Sequence, residues 1–153
     1  MDTTRITAAT LRRWLGDGRE LALLDVRDGG PFARGHLLLA SNLPLARLET
    51  MAPMLLPRRG VRAVLMDGGE PGDVMAGTAA ARLAAHGYTA LHVLDGGLRA
   101  WRDAGHEVFA GTNVPSKAFG EAVEHAHDTP RITPETLRQW QQAGRDLLMV
   151  DAR

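Results

Sequence analysis

Three carboxylates sit three residues apart in a glycine-rich stretch, Asp67-Gly68-Gly69-Glu70-Pro71-Gly72-Asp73. From Met66 to Ala81 there is no Lys or Arg to balance them. One carboxylate held near the end of a strand has the chemistry of a general acid or base, which makes Asp67 a candidate hydrolytic residue. The plainer reading is that Asp67 ties down its own loop by accepting backbone N–H bonds. Three oxygen donors also raise the question of a hard cation such as Ca²⁺ or Mg²⁺. The spacing matches no known cage, so a solvated acidic loop is expected, with no metal and no cofactor. The chain contains no cysteine. Disulfides, thiolate nucleophiles and cysteine metal sites are therefore all ruled out for these residues.

Other polar residues have mainly structural readings. Asp25 and Arg27 follow an apolar run and recur as Asp151 and Arg153, a pattern expected of an ion pair or hydrogen-bond set that pins loops at a strand end. His36 follows Gly35 and is expected to bond backbone near the end of the sheet. His125 and His127 are expected to be exposed rather than metal-bound. Trp14 and Trp101 fall at helical core positions. Leu91 and Val93 are expected in the core, with His92 facing out.

The elements that must position these groups alternate between two periods. Thr7 caps a short helix over Ala8–Leu15, with Leu11, Trp14 and Leu15 on one face. The run Leu21–Val26 reads as a buried strand, broken by Gly29-Gly30-Pro31. A strand is expected near Ser41–Leu43, then a helical turn over Leu45–Met51. Val61–Met66 is the next strand and runs into the acidic loop. Val74–His86 reads as an alanine-rich helix closed by Gly87 at C′. Leu91–Leu94 is a strand, and Gly96-Gly97 turns the chain into a helix over Leu98–Ala104. Strands alternating with helices predict an α/β domain with a mainly parallel sheet.

Residues 5–27 recur at 131–153 without a gap, and 12 of the 23 aligned positions are identical. Roughly one or two matches would arise by chance at ordinary residue frequencies. The spacing exceeds the repeat unit of solenoids and propellers and matches a whole domain. The expected organisation is a domain over 1–110, a linker over 111–130 with a short helix near Ser116–Ala126, and the truncated start of a second domain over 131–153. On this reading the chain is a fragment of a tandem-domain protein. Net charge is zero, and no apolar run reaches the ~20 residues that span a bilayer. Neither nucleic acid nor a membrane is expected as partner, and a cytoplasmic location is expected by default.

Several motifs, taken in order, resemble the rhodanese-like (thiosulfate sulfurtransferase) family. Leu24-Asp25-Val26-Arg27, Phe32-Ala33-Arg34-Gly35-His36 and Ala40-Ser41-Asn42-Leu43-Pro44 resemble its opening signature. Gly87 through Gly97, followed by Ala100-Trp101 and Ala104-Gly105, resembles its closing one. Leu38-Leu39 stands where the family usually has Pro-Gly. The resemblance implies a three-layer fold with about five strands and helices on both faces. It also implies sulfur transfer through a cysteine placed right after the fourth strand, in a loop whose N–H groups converge on the sulfur.

The position that corresponds to this cysteine is Asp67. A carboxylate cannot carry a stable persulfide, and the acids of the loop should repel anionic donors. Members with two domains often carry one inactive domain with Asp here. The resemblance therefore implies a non-catalytic domain of a multidomain sulfurtransferase, partnered by downstream rhodanese-like domains of the same chain. The alternatives are a partner-binding module that uses loop 67–73, or a hydrolase that uses Asp67. The apolar tail is further expected to seek a surface, with a tail-mediated dimer as one outcome.

Overall fold

A computed structural model describes residues 4–112, 114–128 and 130–150. Five strands form one sheet: β1 (Thr4–Ile6), β2 (Ala22–Asp25), β3 (Ser41–Asn42), β4 (Ala63–Met66) and β5 (Leu91–Leu94). Their order is β1-β5-β4-β2-β3, and every pairing is parallel. Parallel neighbours need crossover connections, and here the helices that supply them cover both faces.

Side chains alternate along β2, β4 and β5, so each of these strands feeds two cores. Leu24, Ala63, Leu65 and Val93 pack with α3 (Leu48–Leu55) and α4 (Met75–Ala85). Leu23, Val64, Met66 and Leu94 pack with α1 (Ala8–Trp14) and α5 (Gly97–Asp103). Burial on both sides explains why the strands read as continuous apolar runs.

Local signals place the helix ends. The Thr7 hydroxyl accepts from the Thr10 amide at 3.2 Å and caps α1. Past the end of α4, Gly87 has φ +85°. Its amide donates to Ala84 O at 2.9 Å and the Tyr88 amide to Leu83 O at 3.1 Å, which is the paired bonding of a Schellman turn. Leu83 and Tyr88 meet in the core beneath it.

The structure adds two elements beyond the sequence expectation and lengthens a third. The edge strand β1 pairs only with β5, and its first two residues are exposed. The Gly29-Gly30-Pro31 stretch opens a helix, α2 (Gly29–Arg34), rather than a break. Pro31 lies in the first turn, where its missing N–H leaves no bond unmade. A 3-10 turn at Leu45–Arg47 leads into α3, which runs on to Leu55 and carries Pro53 within it.

The chain divides into two compact units, Met1–Pro115 and Ser116–Arg153. The stretch expected to be a linker with a short helix near Ser116–Ala126 holds a 14-residue helix, α6 (Val114–His127). The helix α7 (Pro134–Gln142) follows, capped by Thr133, which accepts from the Thr136 amide at 3.2 Å as Thr7 does in the first copy. Among the described residues no strand forms after α7 in this second copy, where the first copy has β2. Residues 145–150 have no regular structure, and Leu148 is 91% exposed. A strand exists only against a partner strand, and this run has none among the described residues. Asp151 and Arg153 lie outside the described residues.

Candidate functional site

The order of the strands picks out a place for a site. From β2 the chain moves outward to β3, then returns to β4 and moves the other way to β5. The direction reverses between β2 and β4, and in open parallel sheets ligands gather beyond the strand C-termini at such a reversal. Asp25 ends β2 with Arg27 just past it, and Asp67 stands just past β4.

Asp25 is fully buried. Its carboxylate takes a two-pronged bond from Arg27, with Nε at 2.9 Å from Oδ1 and Nη2 at 2.5 Å from Oδ2. The Arg27 amide also donates to Oδ1 at 3.1 Å. The same Nη2 donates to Gly35 O at 2.6 Å, which ties the end of α2 to the end of β2. Asn42 Nδ2 donates to the Arg27 carbonyl at 2.8 Å, so β3 is held as well. The buried His36 presents Nδ1 to Phe32 O at 3.0 Å and stacks on the Phe32 ring at 3.9 Å. Its backbone forms a bridge with Phe109. Trp101 is buried and donates from Nε1 to Glu107 O at 3.0 Å. His92 is half-buried, edge-on to Trp14, rather than turned to solvent.

Asp67 is 5% exposed. Oδ2 accepts from the Ala76 amide at 2.9 Å in the first turn of α4, and Oδ1 accepts from the Gly69 amide at 3.2 Å. No cationic side chain bonds it among the described residues. Burial pushes its carboxyl above the ordinary range, and the nearby Asp73 and Asp25 push the same way, while the two amide bonds oppose them. Asp73 is spent on the Gly68 amide at 3.2 Å and the Met75 amide at 3.4 Å. Glu70 through Asp73 close a turn, with the Asp73 amide donating to Glu70 O at 2.9 Å and Gly72 at φ +86°. Pro71 and Gly72 fit the two inner positions of that turn, where the second requires positive φ. Both are exposed, as is Glu70.

The loop is jammed against the start of α5. The Leu98 amide donates to Asp67 O at 2.9 Å and the Arg99 amide to Gly68 O at 3.0 Å. A Cβ at Gly69 would lie 1.9 Å from Gly96 O, and one at Gly97 would lie 2.6 Å from Asp67 O. Side chains are excluded there by backbone contact, and both glycines have positive φ.

The loop has no basic residue of its own, and arginines distant in sequence are brought to it by other elements. A cleft of about 680 Å³ beside the loop is lined by Arg27, Arg34, Arg99 and Arg102 together with Asp28, Glu70, Asp73 and Asp103. Charge in the cleft is mixed, not purely acidic. Arg34 comes from the last turn of α2, and Arg99 and Arg102 lie on α5. A second cleft of about 530 Å³ opens on the other side of the loop, lined by Asp67 and Arg5. Among the described residues no three His, Cys, Asp or Glu side chains are grouped to hold a metal, and no helix is long and apolar enough to cross a membrane.

A parallel five-stranded sheet with a tight loop after its central strand defines a class, and the family model of the rhodanese-like domain matches residues 7–104. The chain belongs to the rhodanese-like domain family. It is similar to thiosulfate sulfurtransferase from Pseudomonas aeruginosa, whose crystal structure matches at a TM-score of 0.85 with 45% identity over 93% of this chain. It spans only 26% of that longer chain. The Alr3790 protein of Anabaena matches in fold at a TM-score of 0.64 and 24% identity, covering 74% of this chain and 99% of that structure. The uncharacterized protein YqhL of Bacillus subtilis is 31% identical over 83 residues, 54% of this chain and 62% of YqhL.

Proposed function

We propose that this is a non-catalytic rhodanese-like domain of a multidomain sulfurtransferase. One observation carries the reading. The chain has no cysteine, and the loop position that the family resemblance gives to the sulfur carrier is Asp67, a buried carboxylate satisfied by two backbone amides. Taking sulfur from thiosulfate requires a nucleophile that keeps it as a persulfide while sulfite leaves. A carboxylate forms no stable bond of that kind. The loop keeps the shape of a sulfur cradle but holds its own anion.

The match to a quarter of the Pseudomonas sulfurtransferase and the internal repeat support a tandem parent, in which a downstream domain carries the active cysteine. In that parent this domain packs against its partner and shapes the partner's cleft, in the cytoplasm. In the 153-residue chain itself, the exposed Leu148, Met149 and Val150 favour pairing with a second copy. Thiocyanate formation from thiosulfate and cyanide tests the central reading. The purified chain should give none above background. Turnover that scales with protein and survives purification would overturn it.

A further inference from the structure

A smaller cleft, of about 180 Å³, lies between α3 and the end of α4 and shares no lining residue with the two beside the loop. We propose that it binds a small branched aliphatic carboxylate, with the acid on the Arg59 guanidinium and the alkyl group on the cleft floor. The floor is apolar and already formed. Ala52, Leu56, Leu83 and Tyr88 line it, and all four are buried. The Tyr88 hydroxyl donates to Leu56 O at 3.0 Å, so the ring is fixed and its polar end is satisfied. Pro53 and Pro57 form part of the wall, and their locked φ keeps it rigid. An alkyl group resting there buries no unbonded hydroxyl.

The mouth holds a cation that the fold positions but does not pair. Arg59 takes part in none of the ion pairs among the described residues. Gly87 sets its place: a Cβ there would lie 3.0 Å from Arg59 Nη1 and 3.8 Å from its Cζ. The guanidinium therefore lies against the backbone that closes α4, between His86 and Tyr88 of the cleft. The Arg59 carbonyl accepts from the Thr89 amide at 3.0 Å, which anchors the same residue through its backbone. A helix C-terminus carries about half a negative charge, so the end of α4 holds the guanidinium and leaves much of its charge uncompensated. Glu49, the one acid among the described lining residues, is already matched. Arg82 forks onto it, with Nε 2.7 Å from Oε1 and Nη2 2.5 Å from Oε2. An anion at the mouth therefore meets an uncommitted donor and a neutralised acid. Guanidinium planes take carboxylates in two-pronged geometry. The volume lies below the range of drug-sized ligands, which limits the body to a single branched alkyl group.

The test is an amide NMR titration of the full 153-residue chain with isocaproate, its neutral amide isocaproamide, and acetate. Isocaproate should give saturable shifts at Leu56, Gly87 and Tyr88, at the millimolar concentrations so small a ligand allows. Isocaproamide lacks the charge and acetate lacks the body, and each should bind about fivefold more weakly or worse. Arg59→Gln should weaken isocaproate by a similar factor and leave the rest of the spectrum in place, since the side chain is exposed. Absence of saturable shifts overturns the proposal. So does equal affinity for isocaproamide, which would leave an apolar pocket only. Equal affinity for acetate overturns it as well, leaving an adventitious ion only, as does unchanged binding in Arg59→Gln. None of these outcomes alters the thiocyanate assay, so the two readings fail separately.

Discussion

Two buried carboxylates stand at the ends of neighbouring strands, and they are satisfied in opposite ways. Asp25 at the end of β2 has a cation, with Arg27 forked onto it and tied in turn to Gly35 O. Asp67 beyond β4 has no cation and rests on two amides. A buried charge held by a partner is a structural pin, because removing one half strands the other. A buried charge held only by N–H groups marks a loop shaped to hold an anion. The first arrangement locks β2, α2 and β3 together. The second ties the loop after β4 to the first turn of α4 through backbone amides alone.

The sharpest way to break this comparison is Asp25→Ala. It leaves Arg27, whose side chain is 12% exposed, without its anion. The expected loss is about 3 kcal/mol of stability, read as a lower urea midpoint by tryptophan fluorescence. An unchanged midpoint would show that the pair pins nothing. Gly69→Ala should come next, at about 2 kcal/mol, since its Cβ collides with Gly96 O and its φ is +78°. Asp67→Ala should cost less, about 1 kcal/mol, because the lost amide bonds are offset by relief of burying a carboxylate.

The pH response separates Asp67 from a second pinned acid. The carboxyl of Asp67 is raised above 3.8, so between 3.8 and its folded value the native state holds the proton more tightly than the unfolded chain. Its contribution to stability therefore falls as pH rises through that window. Asp17, bonded by Arg62 at 2.7 Å, is lowered to about 2. Its contribution is full above 3.8 and is lost as pH falls toward 2. Carboxyl-carbon NMR titration should show the two moving in opposite directions. A value for Asp67 at or below 3.8 would contradict the account of the loop.

Much of this was legible in the sequence because it is local. The Thr7 cap, the Schellman turn at Gly87 and the apolar runs of β2, β4 and β5 each announce themselves within a few residues. The two copies of the repeat show where that legibility stops. Thr7 and Thr133 cap their helices identically, since a cap needs only its own turn. Leu23 and Leu24 are buried in a strand, whereas the matching Met149 and Val150 are exposed and irregular. The strand is made by β4 beside it, not by its own residues. Distance hid the arginines as well. Arg34, Arg99 and Arg102 lie far from Asp67 in sequence, and only the packing of α2 and α5 brings them to the loop. Pro31 misled because its effect depends on which helical turn it occupies.

The smallest expected gain comes from refitting the loop for sulfur. Asp67→Cys places a thiol where the Gly69 and Ala76 amides converge, but Glu70 and Asp73 disfavour the thiolate and the anionic donor. Activity should stay well below that of an ordinary family enzyme and rise measurably when Glu70→Arg is added. A single variant with full activity would show that these acids do not control the loop.

The central claim is that the native loop cannot carry sulfur, and intact-mass spectrometry after incubation with thiosulfate tests it most directly. The native chain should gain no sulfur atom, while Asp67→Cys should gain one that cyanide removes. A cyanide-labile sulfur on the native chain would contradict the account.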